Sequence, residues 1–383
     1  MKRLVLLAVI ASALLSSCQK NNSPAPDAKN VPGGLSAKSR PALTTDVYIA
    51  GDAQLLSGVT TPTTVAYYWK NAVATQLLTS GTGNSHAQAV AVSGTDVYVA
   101  GYANGPDAFF SVGANPGLPC IWKNGVEQIL PIPAGHIGAA QAIAVSGSDV
   151  YVVGYYITND ATHSRRAMLW KNGVALLLAF NTFDSIATGI ALDGTDVYVC
   201  GNAVFSGVTC AVYWKNNIWH PFAGTAVTSR AAAITVDALH NYYISGASNG
   251  AACYWKDANL VALPNDGYFP ETQTDDKTFG NMISVDNNNV YVSGFSRAFE
   301  SDHVVLTNAY WKNGVEVPIP LPPNLGDMDA GALYSIVVIN NAVYGGVLTD
   351  SSGGAFFWGY YANGTYVSVG VPTYIGGTAV VQH

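Results

Sequence analysis

Large apolar residues alternate with Ala, Gly, Ser or Thr in short runs along the chain: residues 88–92 (QAVAV), 141–145 (QAIAV), 188–192 (TGIAL) and 232–236 (AAITV). A period of two is that of a strand with two unlike faces. Each run ends in a turn signal, Ser93-Gly94-Thr95-Asp96, Ser146-Gly147-Ser148-Asp149 or Asp193-Gly194-Thr195-Asp196. Glycine there supplies a positive φ, and the Asp or Ser side chains bond turn amides. A strand of the form Val-Tyr-Val-x-Gly follows, then an aromatic strand ending in Trp-Lys. The Asn-Gly pairs Asn124-Gly125, Asn172-Gly173 and Asn313-Gly314 are strong hairpin signals into a fourth strand. We call the four strands a, b, c and d.

This unit recurs seven times. The tyrosines of strand b are Tyr48, Tyr98, Tyr151, Tyr198, Tyr243, Tyr291 and Tyr344. The tryptophans read as closing strand c are Trp69, Trp122, Trp170, Trp214, Trp255, Trp311 and Trp358, spaced 41 to 56 residues apart. A repeat of that length carrying four short strands predicts an all-β chain folded as a seven-bladed β-propeller of four-stranded antiparallel blades. Strand a has the smallest side chains, so it belongs innermost, where blades converge. Only six strand a runs follow the first strand b, ending near Val92, Val145, Leu192, Val236, Val285 and Val338. Residues 376–382 (GGTAVVQ) have the same pattern and no blade of their own. They are predicted to be strand a of the first blade, paired with residues 46–51, so that the C-terminal strand closes the ring and leaves no open edge. The tryptophans read as packing between neighbouring blades rather than as a ligand cage, since each ring buries a large area. A residue needed once per molecule would not recur in every blade, so Asp96, Asp149 and Asp196 read as turn chemistry. Over residues 46–383 the pattern resembles kelch-type and related bacterial propeller repeats. It departs from kelch in lacking a regular Gly-Gly doublet after strand b, with Gly345-Gly346 as the exception.

Composition agrees with strands and turns: 49% of the residues are hydrophobic, 11% are charged and 39 are glycine. Residues 1–17 carry Lys2 and Arg3, then an apolar run too short to span a bilayer, which reads as a signal peptide. Leu15-Ser16-Ser17-Cys18 resembles the lipobox of bacterial lipoproteins, which implies lipidation of Cys18. Gln19 after it implies outer-membrane sorting by the same resemblance. Residues 18–45, rich in Pro, Ser, Asn and Gly and lacking aromatics, are expected to be a flexible tether from that lipid, leaving residues 46–383 as the propeller. Removing the leader takes away two positive charges, and the net charge goes from −7 to −9. With no basic run in the mature chain, nucleic acid is excluded as an expected partner.

The a to b and c to d turns are short and uniform, whereas the b to c and d to a connections vary. In an antiparallel meander those two kinds of connection emerge on opposite faces, so binding is expected on the variable face, near the axis. That face would carry Asp107, Phe109 and Phe110, then Tyr155, Tyr156, Asp160, His163, Arg165 and Arg166 of the third blade, and Asp184 and Arg230 on d to a loops. It would also carry Asp266, Tyr268, Phe269, Glu271, Asp275 and Asp276, then Arg297, Glu300, Asp302 and His303, and Asp327 and Asp329. The ligand set singled out is Tyr155, Tyr156, His163, Arg165 and Arg166, with Gln88, Gln141 and Asn281 at the strand a entrances. Aromatics beside amides, carboxylates and arginines suit a glycan, peptide or protein ligand. No Gly-x-Ser-x-Gly, His-Glu-x-x-His, phosphate-loop or calcium-loop motif occurs, and no cofactor or metal is expected. The expectation is thus a membrane-anchored binding or scaffold module of the bacterial cell envelope. The alternative is a propeller glycoside hydrolase or lyase acting on extracellular glycans through paired carboxylates. Cys120, Cys200, Cys210 and Cys253 remain, and Cys200 and Cys210 either face each other across one hairpin as a disulfide or are buried free thiols.

Overall fold

Short, two-faced strands separated by tight turns pair in sequence order, and each group of four becomes one antiparallel sheet. In the second blade these are strand a (Asn84–Ser93), strand b (Asp96–Gly105), strand c (Leu118–Lys123) and strand d (Val126–Ile129). The computed structural model describes residues 44–55, 63–105, 117–178, 184–222, 228–264, 282–300, 303–319, 330–350, 356–370 and 374–383. They fall in one unit, Leu43–His383. They form seven such sheets in a ring, the predicted all-β seven-bladed propeller.

The ring closes as the small-residue pattern implies. The C-terminal strand, Tyr374–Gln382, pairs antiparallel with Thr45–Leu55, matching Asp46 with Val381 and Tyr48 with Ala379. The first blade therefore takes its innermost strand from the end of the chain and the other three from its beginning.

The core lies between blades rather than within them. Each of the seven buried clusters joins one blade to the next, as Leu77, Tyr48 and Ala66 of the first blade do with Val99, Cys120 and Trp122 of the second. The residue that follows strand d is apolar in every blade: Leu77, Leu130, Leu178, Phe222, Leu263, Ile319 and Val369 are all buried. The tryptophan of the next blade packs beside it. Trp122 donates its indole N–H to the Leu78 carbonyl at 2.9 Å, and Trp170 to that of Pro131 at 2.8 Å, so the polar edge of the ring is satisfied across the blade boundary. Trp358 does not belong to this series. In six blades Trp pairs with the residue after the strand b tyrosine, but in the seventh that partner, Gly345, is opposite Tyr361.

The uniform face is held by one repeated device. In the second blade Asp96 accepts from Lys123 Nζ at 2.8 Å and from Asn124 Nδ2 at 2.8 Å. Asn124 Oδ1 in turn accepts the Val97 N–H at 2.9 Å, and the Lys123 ammonium lies 5.1 Å from the Tyr98 ring centre. Asp46, Asp149 and Asp196 repeat the arrangement with Lys70, Lys171 and Lys215. The recurrent aspartates therefore bond the neighbouring c to d turn rather than the amides of their own. The same bonds place the two kinds of short turn on one face, with the b to c and d to a connections on the other.

Candidate functional site

The glycine of Val-Tyr-Val-x-Gly leads to the axis. A Cβ at Gly101, Gly154, Gly201 or Gly246 would collide with a strand a carbonyl, that of His86, Ala139, Ile186 or Arg230 respectively. Glycine is required because strand a bulges toward strand b at that point. The register slips between Ala87 and Ala89, Ala140 and Ala142, Ala187 and Gly189, and Ala231 and Ala233. The extra residues are Gln88, Gln141, Thr188 and Ala232. A bulge re-aims a side chain without breaking the sheet. In the first blade the slip falls at Gly376 and Gly377. In the seventh, Val347 replaces the glycine opposite Leu333, and strand a is interrupted between Leu333 and Val337.

These residues line a cavity of about 420 Å³ on the axis. Its wall is drawn from strand a of the first five blades, Met282 and Tyr334 at the corresponding places in the sixth and seventh, and Asn202 from strand b of the fourth. Blades two to five contribute Gln88, Gln141, Thr188, Asn202 and Arg230. Blades six, seven and one contribute Met282, Tyr334, Ile375 and the two glycines. Ala, Val and Ile residues lie between the polar groups of blades two to five, and Thr378 of the first blade adds a hydroxyl to the other side.

Two interfaces hold the bulges by the same device with different residues. Asp52 and Asn202 each follow the strand b glycine. Asp52 accepts the Ala87 N–H at 2.8 Å, and Asn202 Oδ1 accepts the Ala231 N–H at 2.8 Å while its Nδ2 donates to the Ala231 carbonyl at 3.1 Å. Thr188 Oγ1 donates to that carbonyl as well, at 3.1 Å. The residue just before each clamped alanine is also equivalent: His86 in one case, Arg230 in the other. His86 Nδ1 bonds Asp52, both are fully buried, and the His86 ring lies 4.7 Å from Tyr102. Burial pushes the Asp52 carboxyl above the usual carboxylate range, against the pull of His86 and the Ala87 N–H. Nothing in the sequence singled out His86, because its partner is 34 residues away on the neighbouring blade.

The structure divides the sequence-predicted set. Gln88 and Gln141 line the axial cavity, whereas Asn281 lies outside the described residues, next to Met282. Tyr155 and Tyr156 are in strand b (Asp149–Ile157) and Arg165 and Arg166 in strand c (Arg165–Lys171) of the third blade, rather than in a loop between them. Successive strand residues point to opposite faces. Tyr156 therefore packs toward the second blade, edge-on to His136 at 5.3 Å, while Tyr155 lies near Arg165 and Asp184. His163 stays in the b to c loop with a φ of 45°. None of these five lines the axial cavity.

Arg165 grips Asp184 through Nε at 3.1 Å and Nη2 at 2.7 Å, and its own N–H adds a bond of 2.6 Å. Burial works to raise the Asp184 carboxyl, but these bonds outweigh it and hold the group low. The pair closes a small recess whose far wall, Asn202 and Arg230, is shared with the axial cavity. Arg230, expected on a d to a loop, is inside strand a (Ser229–Val236). Arg297, Glu300 and His303 likewise belong to strands of the sixth blade.

Cys18, Asp107, Phe109, Phe110, Asp266, Tyr268, Phe269, Glu271, Asp275, Asp276, Asp302, Asp327 and Asp329 lie outside the described residues. Among the described residues no group of three His, Cys, Asp or Glu side chains could hold a metal ion. Of the two alternatives for Cys200 and Cys210, the structure has the buried thiols. In the ladder Cys200 is opposite Tyr213 and Cys210 opposite Ala203, and none of the four described cysteines, all buried, is in a disulfide. Burial pushes the Cys200 and Cys253 thiols up to about 12.

No protein-family model and no curated protein matches the chain. Among solved structures it is similar to a puromycin-hydrolyzing peptidase of Mycobacterium tuberculosis, with 12% identity and a TM-score of 0.47 over 85% of this chain and 51% of that one. The chain thus spans about half the length of that peptidase. It is also similar to a polysaccharide lyase, an ulvan lyase (11% identity, TM-score 0.44, 83% and 89% of the two chains). A catalytically inactive virginiamycin B lyase from Staphylococcus aureus matches with 10% identity and a TM-score of 0.35, over 87% and 99%.

Proposed function

We propose that this chain is an exported, lipid-anchored binding module of the bacterial cell envelope that holds a glycan or peptide group in its axial cavity. One observation carries the reading. Positions that build the propeller are nearly uniform from blade to blade, whereas those at the inner bulge differ in nearly every blade: Gly376, Gln88, Gln141, Thr188, Ala232 and Tyr334. Packing alone favours one residue repeated, and a cavity with distinct walls is what orients an asymmetric ligand. The amides, hydroxyl and guanidinium there are groups that bind and orient.

The test is a glycan and peptide array probed with the full-length chain in detergent. Gln88→Ala with Gln141→Ala is expected to weaken capture at least tenfold, whereas Lys123→Ala and Lys171→Ala, on the uniform face, leave it unchanged. Capture that survives the glutamine changes and falls with the lysine changes overturns the reading. Release of shortened or unsaturated glycans from the array would instead favour the hydrolase or lyase, which needs carboxylate or His groups converging on the same space. Anchoring is tested separately: Cys18→Ser is expected to move the protein from the membrane to the soluble fraction with loss of acyl mass. Unchanged membrane association would end that part of the proposal.

A further inference from the structure

Resting on the lipid anchor at Cys18, we infer that the uniform face of the propeller is its membrane face: the a to b and c to d turns lie against the lipid surface that holds the anchor. The described chain enters and leaves on that face. Thr44 and His383 exchange backbone bonds of 3.2 and 2.9 Å. Thr45 and Asp46 then open strand b of the first blade. Asp46 is the first blade's member of the repeated turn device, bonding Lys70 and Asn71 at 2.7 Å each and His383 at 3.2 Å. The segment that runs from Cys18 thus joins the propeller among the short turns.

The join alone does not set the orientation. At about 3.3–3.6 Å per residue, residues 18–43 can reach roughly 90 Å, enough to let either side meet the bilayer. What favours the uniform face is where the exposed apolar side chains are. Among the described residues ten large apolar side chains are exposed. Val73, Val126, Val174, Ile218 and Val315 are each the first residue of a strand d, directly after the c to d turn. Leu239 is in the a to b connection of the fifth blade, between strands that end at Val236 and begin at Tyr242. These six come one from each of six successive blades and are 64–71% exposed, whereas Leu78 is the one member of the ten on a d to a connection. Strand propensity accounts for Val or Ile on a half-buried ladder, but these positions are about two-thirds exposed, and Leu239 is in no strand. Apolar side chains spread around the ring at one level fit a flat apolar boundary rather than a compact ligand.

Charge points to an apolar contact rather than an ionic one. In each of the first four blades the lysine of this face is paired with an aspartate at 2.7–2.9 Å, so these blades offer lipid phosphates no excess of positive charge. In five blades the exposed Val or Ile is directly across the ladder from that lysine, as Val126 is from Lys123 and Val174 from Lys171. An apolar group beside a long methylene stem with a charged head suits the boundary between headgroups and acyl chains, where the stem is covered and the head stays wet. The b to c and d to a connections are then directed at the aqueous side.

The experiment uses the full-length chain, its acyl mass measured, in phosphatidylcholine vesicles that carry a lipid with a nitroxide on its headgroup. A fluorophore is attached through Ser148→Cys, in the a to b turn of the third blade, or through Ala161→Cys, in the b to c connection of the same blade; both positions are exposed, and the four described native cysteines are buried. Nitroxide quenching is expected to be at least threefold stronger at position 148 than at 161, and to persist in molar salt. Val126→Asn with Val174→Asn and Leu239→Asn is expected to remove most of that difference while leaving the acyl mass and the membrane association unchanged. The comparison of the two labels on the otherwise unaltered chain stands even if the triple variant does not fold. Equal quenching at the two positions, or stronger quenching at 161, on an acylated and membrane-bound chain overturns the inference and leaves the anchor intact. A difference that survives the triple change overturns the apolar contact. A label at 148 that is shielded from iodide but not reached by the nitroxide, on a chain with the mass of a dimer, overturns the inference in favour of a second copy. A chain that has no acyl mass and stays off the vesicles overturns both the anchor and this orientation.

Discussion

Asp52 and His86 offer a sharp test of how the inner bulges are held. Both side chains are fully buried, and Asp52 bonds two groups of the next blade: the His86 ring and the Ala87 N–H beside Gln88. Asp52→Ala removes both at once, leaving a buried N–H without its acceptor and a buried imidazole without the carboxyl that its Nδ1 bonds. Breaking a buried pair from one side costs about 3–5 kcal/mol, because the remaining partner stays desolvated. For the unit Leu43–His383, an unfolding entropy of about 2.1 cal/mol/K per residue converts that into a fall in Tm of roughly 4–7 °C. Asp52→Asn is the informative control. It installs the residue found at the equivalent position 202, retains an acceptor for the Ala87 N–H, and should cost less than Asp52→Ala. Calorimetric melting of Asp52→Ala, His86→Ala and the double variant closes a thermodynamic cycle, with a coupling of about 0.5–3 kcal/mol expected between the two positions. Single losses below about 1 kcal/mol that simply add would refute the clamp.

Three further outcomes follow from the same geometry. Gly101→Ala and Gly154→Ala, whose Cβ atoms would strike strand a carbonyls, should lower Tm well beyond Gly94→Ala, where only a φ of 60° opposes the side chain, and equal shifts in thermal scans would contradict the bulge argument. Lys70 and Asn71 hold the Asp46 carboxyl down to about 2, and Asp96 and Asp149 are held low by the equivalent bonds, so their stabilisation is present above the unfolded value of about 4 and is lost as pH falls toward 2. Burial of Asp52 works in the opposite sense, but as one group against several, so Tm should decline below pH 4 and Asp46→Asn should make the decline shallower. Ile375→Ala, in the seam between the seventh and first blades, should cost about 2–5 kcal/mol in urea unfolding, and a loss below 1 kcal/mol would mean that the C-terminal strand is not a packed part of the ring.

What the sequence determined by itself was the architecture, because its cause is local and repeated seven times. Alternation makes the strands, Asn-Gly and Gly-Thr pairs make the turns, and the count of strand a runs sends residues 376–382 back to the first blade. Six of the seven tryptophans were legible in the same way. Trp358 was not, since its motif is shifted against the ladder and Tyr361 occupies the place. The cavity required the tertiary structure. Gln88 and Gln141 could be placed near the axis from strand order, but that they project there depends on a slip of one residue in the pairing of two strands, which no periodicity records. Tyr155 and Tyr156 look like one aromatic platform in sequence, yet consecutive strand residues must face opposite ways, so the fold sends them to different blade boundaries. His86 with Asp52, and Ala231 with Asn202, are pairs made across a blade boundary between residues about 30 positions apart. Their chemistry depends on which neighbour the ring brings against them, and that is decided only when seven similar blades close on one another.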